Sequence, residues 1–272
     1  MNTTILETDE FTIRNKAVWT AGDFGKIAVP LEPAGEEFMA RREVTPGMRV
    51  LDVACGTGNL AIPAARAGAS VTGVDIAPNL LEQARERAGR EGVEVQFHEG
   101  DAEALPYGDG SFDLVVTMFG AMFAPRPRRV AAELIRVCRR GGRIAMANWT
   151  PGGFIGQMFK ITAAYVAPPP GVPAPALWGV EATVRERLGE RVADLRMKPA
   201  ITRIEYPFSP AETVEHYKRY FGPQQRAYAA LPEDGQSALR RALEELWTTH
   251  NEARDGTTAV AAEYLEVVAT SA

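Results

Sequence analysis

A doubly wound α/β sheet is the fold class that the sequence predicts, and three observations predict it. Short apolar runs alternate with helical segments from Arg49 to Trp149. Several of these runs are nearly unbroken by polar residues, as in a parallel sheet covered on both faces. A glycine-bearing turn, Cys55-Gly56-Thr57-Gly58-Asn59, joins the first run to a helix. Strand–helix–strand alternation of this kind implies right-handed crossovers.

The elements follow in order. Ile13–Trp19 and Phe24–Arg41 have helical character, and Pro46-Gly47 turns the chain into the first strand. Val50–Ala54, Ser70–Asp75, Glu94–Glu99, Phe112–Met118 and Arg143–Trp149 are the expected strands. Leu60–Ala67, Leu80–Arg90 and Pro127–Arg139 are the expected helices between them. Leu80, Leu81, Ala84 and Ala88 repeat at helical spacing, and Gly141-Gly142 turns the third helix into the next strand. The pattern changes after Trp149. Pro151-Gly152-Gly153 breaks the chain, Phe154–Val166 is an amphipathic helix, and the stretch from Pro168 to Pro175 is too rich in proline for helix or central strand. An ordered loop or lid is expected there. Val192–Phe208 supplies a strand, Pro210–His250 is helical with breaks near Gly222-Pro223 and Pro232, and Tyr264–Thr270 alternates as a last strand.

Composition removes several function classes. A chain of 272 residues buries roughly 75% of its unfolded surface and needs no disulfide staples. The net charge of −5 argues against nucleic acid as the main partner, because phosphate binding needs a basic surface. The densest basic run, Arg126, Arg128, Arg129, Arg136, Arg139 and Arg140, reads as a solvated helix face. Cys55 and Cys138 belong to no CxxC or Cys/His cluster, so no metal site is expected. No run reaches the ~18 apolar residues of a membrane span. The polar, acidic start MNTTILETDEFTIR has no signal-peptide core, and a cytoplasmic location is the expectation.

The chemistry concentrates at the strand ends. Val50-Leu51-Asp52-Val53 leads into the glycine turn. Glycine is needed where the backbone turns tightly or approaches a ligand without a Cβ in the way. The turn follows a central strand, whose carboxyl end is where open α/β sheets bind ligands. Asp75 ends the second strand, 17 residues after Gly58, and can accept hydrogen bonds from both hydroxyls of a ribose. Its plainer role is a helix cap ahead of Pro78. Gly100-Asp101-Ala102-Glu103 follows the third strand. Asp101 can accept from an adenine amino group while the Ala102 backbone reads a ring nitrogen; a simple turn is the alternative for Asp101. The run Gly56-Thr57-Gly58-Asn59-Leu60-Ala61 is also compatible with a nicotinamide dinucleotide, whose pattern tolerates alanine at its third position. Asp52 weighs against that reading, since a negative charge there disfavours a pyrophosphate and suits the ammonium of a methionine moiety. Capping the amides of the turn is an equal role for Asp52.

With Asp75-Ile76-Ala77-Pro78-Asn79-Leu80-Leu81, Gly100-Asp101-Ala102-Glu103-Ala104-Leu105-Pro106, Gly110-Ser111-Phe112-Asp113 and Leu134-Ile135-Arg136-Val137-Cys138-Arg139-Arg140-Gly141-Gly142, the glycine turn resembles the class I S-adenosylmethionine-dependent methyltransferases. The likeness is to the ubiquinone/menaquinone-biosynthesis-type group and covers about Arg49–Trp149. Trp19, Gly22-Asp23-Phe24 and Asn148-Trp149-Thr150-Pro151 resemble a bacterial subgroup of it. The resemblance implies a Rossmann-like, mostly parallel sheet of seven strands whose last strand, Tyr264–Thr270, is antiparallel. It implies S-adenosylmethionine as cofactor and S-adenosylhomocysteine as product. It further implies that Gly56 and Gly58 border the methionine part and that Asp75 holds the ribose. Ile76 and Leu80 would line the adenine face, and Asp101 and Ala102 would read the adenine edge. Thr117 would lie near the amino-acid end through its backbone, and Trp19 would close over the cofactor. Ala54 stands where glycine is commoner, which is tolerable if its dihedral angles are ordinary.

The implied organisation is an N-terminal helical segment over the cofactor site (1–48), a cofactor-binding core (49–149), a substrate cap with a sheet strand near 192–208 (150–257), and a final strand (258–272). The implied reaction is in-line methyl transfer to an O, N, S or C atom of a small-molecule acceptor. A nicotinamide-dependent oxidoreductase and a noncatalytic S-adenosylmethionine or S-adenosylhomocysteine sensor are the alternatives. Among the histidines, His98 and His250 lie away from the expected reaction centre, while His216, followed by Tyr217 and Tyr220, is the better-placed candidate base. Phe119, Phe123, Phe154, Trp178, Tyr206, Tyr217, Tyr220 and Phe221 suggest, as a group, an apolar acceptor site. Acceptor identity and oligomeric state are not encoded in any motif.

Overall fold

Runs of valine, leucine and isoleucine bury both faces of the central strands, and the rest of the chain wraps around them. The computed structural model describes residues 10–272; the first nine residues of the 1–48 segment lie outside the described residues. The chain enters as three helices, α1 (Glu10–Ala21), α2 (Phe24–Ala28) and α3 (Glu32–Ala40). The continuous helix expected over Phe24–Arg41 is interrupted. Pro30 sits in a 3-10 turn at Val29–Leu31, and Pro33 opens α3, where a missing N–H is no loss.

Alternation then follows: β1 (Arg49–Val53), α4 (Ala61–Arg66), β2 (Ser70–Asp75), α5 (Pro78–Glu91), β3 (Gln96–Glu99), β4 (Phe112–Met118), α6 (Pro127–Val137) and β5 (Cys138–Trp149). β5 begins earlier than the expected Arg143. Cys138 already pairs with Phe112, and the register shifts before Leu114 pairs with Arg143. Gly141 takes φ +67° at this irregularity, so the double glycine lies inside the strand instead of ending the helix. Beyond β5 come α7 (Phe154–Tyr165), α8 (Glu181–Leu188), β6 (Val192–Tyr206), α9 (Pro210–Tyr220), α10 (Gly222–Ala229), α11 (Glu233–His250) and β7 (Thr258–Ser271). The helical stretch Pro210–His250 breaks at both expected places. Ser209 opens it with a capping box to Glu212. β7 starts six residues before the expected Tyr264, because pairing with β6 overrides the weak strand preference of Ala259, Ala261 and Ala262.

The seven strands form one sheet in the order β3-β2-β1-β4-β5-β7-β6. β7 is antiparallel to both its neighbours, and the pairings among β1 to β5 are parallel. Leu114, Val115 and Val116 at the centre are at most 1% exposed, which is the burial on both faces that their unbroken apolar run requires. The strand order turns at β1, with β2 on one side and β4 on the other. A crevice therefore opens at the carboxyl ends of β1 and β4. Among the described residues, no helix is long and apolar enough to cross a membrane.

Candidate cofactor and active site

The crevice is a cleft of about 920 Å³, including its open mouth. Its floor is the turn after β1. Ala54, Gly56 and Gly58 take φ of +55°, +52° and +85°, which curls the chain sharply between strand and helix. The dihedral angle of Ala54 is therefore not ordinary: it is left-handed, a conformation that costs an L residue with a Cβ about 1–2 kcal/mol. Gly120 accommodates it, since a Cβ on Gly120 would lie 2.8 Å from the Cβ of Ala54. Gly56 lines the cleft, and a Cβ there would meet no protein atom within 4 Å. Gly58 does not line it. The Gly58 N–H donates to the Cys55 carbonyl (2.8 Å) and its own carbonyl accepts from Ile62 N–H (3.0 Å), so its work is to close the turn and start α4.

Three carboxylates line the cleft, one at the end of each of β1, β2 and β3. Asp52 is 1% exposed and accepts from the Ala61 amide at 3.0 Å. Burial pushes its carboxyl well above the usual range; the Ala61 amide opposes this and the charge of Asp75 adds to it. Asp52 thus both caps the turn and faces the cleft. Asp75 accepts from Gly56 N–H (2.8 Å) and Ala77 N–H (2.9 Å), which locks the glycine turn to β2. Burial raises its carboxyl too, against those amides. Asp101 accepts from Glu103 N–H (2.9 Å) and from the Thr12 hydroxyl of α1 (2.8 Å). Thr12 in turn accepts from Arg126 Nη2 (3.3 Å), and Arg126 pairs with the buried Glu103. The loop after β3 is thereby stitched to α1 and to the start of α6. Ile76, Leu80 and Ala102 line the cleft as well.

Beyond β1 the character changes. Met118, Phe119 and Phe123 form the wall after β4. Phe119 takes φ +56° and stacks on Trp149 with centroids 3.5 Å apart. Trp19 of α1 closes the cleft from above, with its indole N–H donating to Asn15 Oδ1 at 3.2 Å. Its ring meets Phe123 at 4.9 Å and Phe24 at 5.5 Å, both edge-on. Thr117 is not part of this wall. It is 1% exposed, its backbone pairs with Met146, and its hydroxyl accepts from Ala121 N–H (3.2 Å), so it shapes the turn from within the fold.

Of the aromatic candidates, Phe119 and Phe123 line the cleft, whereas Phe154, Trp178, Tyr206 and Tyr217 pack in the core. His216 is outside it as well. Its Nε2 lies 3.2 Å from the Lys26 carbonyl, among Tyr206, Phe208 and Tyr220. Sequence reasoning missed Asn15, Phe24, Ala28 and Leu31 as lining residues. Asn15, Ala28 and Leu31 belong to no motif, Phe24 to one that named no role, and only the fold brings them to the cleft. Among the described residues, no cluster suits a metal ion.

Comparison with known proteins agrees with this architecture. The family profile described as a methyltransferase domain matches residues 50–142. An uncharacterized protein of Mycobacterium tuberculosis is 41% identical over 219 residues, covering 80% of each chain. The demethylmenaquinone methyltransferase of Deinococcus radiodurans is 39% identical over 124 residues, 44% of this chain and 52% of that one. The solved YcgJ protein of Bacillus subtilis superposes with a TM-score of 0.59 at 19% identity, over 88% of this chain and 98% of that one, which is a likeness of fold. The chain belongs to the class I S-adenosylmethionine-dependent methyltransferases.

Proposed function

We propose that this methyltransferase holds S-adenosylmethionine along the ends of β3, β2 and β1 and passes its methyl group to a small molecule seated over the end of β4. The observation that carries the reading is the row of three carboxylates in strand order, Asp101, Asp75 and Asp52, beside a glycine whose missing Cβ leaves the floor open. Each matches one part of the cofactor. Asp101, with the Ala102 backbone, suits the adenine edge. Asp75 has lone pairs beyond the two amides it accepts from and suits the ribose hydroxyls. Asp52, whose buried charge lacks a cation, suits the ammonium group. Trp19 covers the middle of the cleft and excludes water.

When bound, the cofactor supplies an electrophilic methyl group on a sulfonium. The protein's part is to hold the acceptor in line, where proximity and orientation are worth roughly 7–11 kcal/mol. No histidine lines the cleft among the described residues, and an acceptor that is already nucleophilic needs no base.

Melting curves with S-adenosylmethionine, S-adenosylhomocysteine and NAD test the reading. A ligand at ~100 times its dissociation constant adds about 2.7 kcal/mol of stability. The two adenosyl sulfur compounds raise the melting temperature and NAD does not. A shift with NAD alone overturns the reading in favour of an oxidoreductase. Binding without methyl transfer to any acceptor leads to the sensor.

A further inference from the structure

We infer that the acceptor is an apolar molecule that carries no charge away from its reacting atom, selected by the aromatic corner of Trp19, Phe24 and Phe123; this rests on the cofactor orientation proposed above. Polarity falls in one direction along the cleft. All three carboxylates sit at the β3–β2–β1 end, and the β4 end is walled by Met118, Phe119 and Phe123, with Trp19 and Phe24 packed against Phe123 in turn. No lysine, arginine or histidine lines any part of the cleft among the described residues, and none occurs in the sequence of the first nine. Asn15 brings an amide into the cleft one helical turn before Trp19, from which its Oδ1 already accepts.

An acceptor bearing a carboxylate or phosphate would lose its hydration here and gain no cation in return. It would also face three like charges. An acceptor bearing an ammonium would find those carboxylates engaged by the cofactor, with a sulfonium of its own sign beside it. One charge is tolerated, a negative one on the reacting atom, because that atom points at the sulfonium. In the transfer a bond forms between that atom and the methyl carbon. The sulfur–methyl bond breaks, its electron pair stays on sulfur as a neutral thioether, and the acceptor's proton leaves to bulk water through the open mouth.

Binding to the complex with S-adenosylhomocysteine tests this without needing the true acceptor. The product's affinity is measured first; if it does not bind, the cofactor reading fails on its own. At saturating S-adenosylhomocysteine, calorimetry then compares 2-naphthol, 6-hydroxy-2-naphthoate and 6-(aminomethyl)-2-naphthol, which share one ring system and one hydroxyl and differ in a charge away from it. 2-Naphthol binds more tightly than either charged analogue by about 30-fold. Naphthoate or the amine binding within about threefold of 2-naphthol, or no binding of 2-naphthol, overturns the inference. Asn15→Arg, on a half-buried helix position that lines the cleft beside Trp19, gives the cleft a cation and raises naphthoate affinity by about tenfold. Unchanged naphthoate affinity in a variant that folds and binds S-adenosylhomocysteine also contradicts it.

Discussion

At the β3–β2–β1 end of the cleft, each carboxylate is tied to backbone amides: Asp52 to Ala61, Asp75 to Gly56 and Ala77, Asp101 to Glu103, with Asp101 held also by the Thr12 hydroxyl of α1. At the β4 end the walls come from segments far apart, with Trp19 and Phe123 separated by roughly a hundred positions. The first end is polar and held by hydrogen bonds with fixed geometry. The second is apolar and held by packing, which specifies shape less strictly. A site assembled this way keeps one ligand constant and lets the other vary.

The largest expected effect lies at the polar end. Asp75→Ala removes the acceptor for two backbone amides and for the proposed ribose contacts, and weakens S-adenosylhomocysteine binding by about 100-fold. Calorimetric titration checks it, and an unchanged affinity breaks the comparison. At the apolar end, Phe123→Ala lowers 2-naphthol affinity in the product complex by about tenfold while S-adenosylhomocysteine affinity stays within about twofold. Equal losses for both ligands would show that the two ends are not separable.

Asp52 gives a smaller effect with a sign. Its carboxyl is raised by burial in the folded protein. A raised folded value favours the fold below the usual carboxylate range, and that contribution is lost as pH rises through the raised value. Asp52→Asn therefore melts above the wild type at pH 8, by about 1 kcal/mol or roughly 2–4 °C, and not at pH 4. The same titration makes the wild type bind S-adenosylmethionine more weakly as pH falls, because a protonated Asp52 offers the ammonium no charge. A melting difference independent of pH contradicts this. The smallest effect is at Ala54. Ala54→Gly relieves a left-handed alanine and raises stability by about 1 kcal/mol, read by denaturant unfolding; a loss of stability would place the strain elsewhere.

The same contrast explains what could be read from the sequence. Asp75, Asp101 and Ala102 end or closely follow strands, so strand position pointed to them, while Ile76 and Leu80 were expected from the family resemblance alone; all five line the cleft. Gly58 sits in the right turn and Thr117 near the end of the right strand, but neither lines the cleft, a matter of local dihedral angle and side-chain direction that spacing does not reveal. The left-handed Ala54 was hidden for the same reason. Leu31 and Asn15 had no local signal, and Phe24 stood in a subgroup motif that carried no role; only the folding of the N-terminal helices over the strand ends brings them to the cleft. His216 stood beside aromatic residues in sequence and does so in space, but against Tyr206 and Phe208 rather than the cleft.

The most direct test of the orientation proposed for the cofactor is a crystal structure of the complex with S-adenosylhomocysteine. The account predicts ribose hydroxyls within hydrogen-bonding distance of Asp75, the adenine amino group at Asp101, the amino-acid ammonium at Asp52, and the sulfur directed toward Phe119 and Phe123. Adenine stacked in the corner of Trp19, Phe24 and Phe123, with the amino-acid end at Asp101, would contradict it.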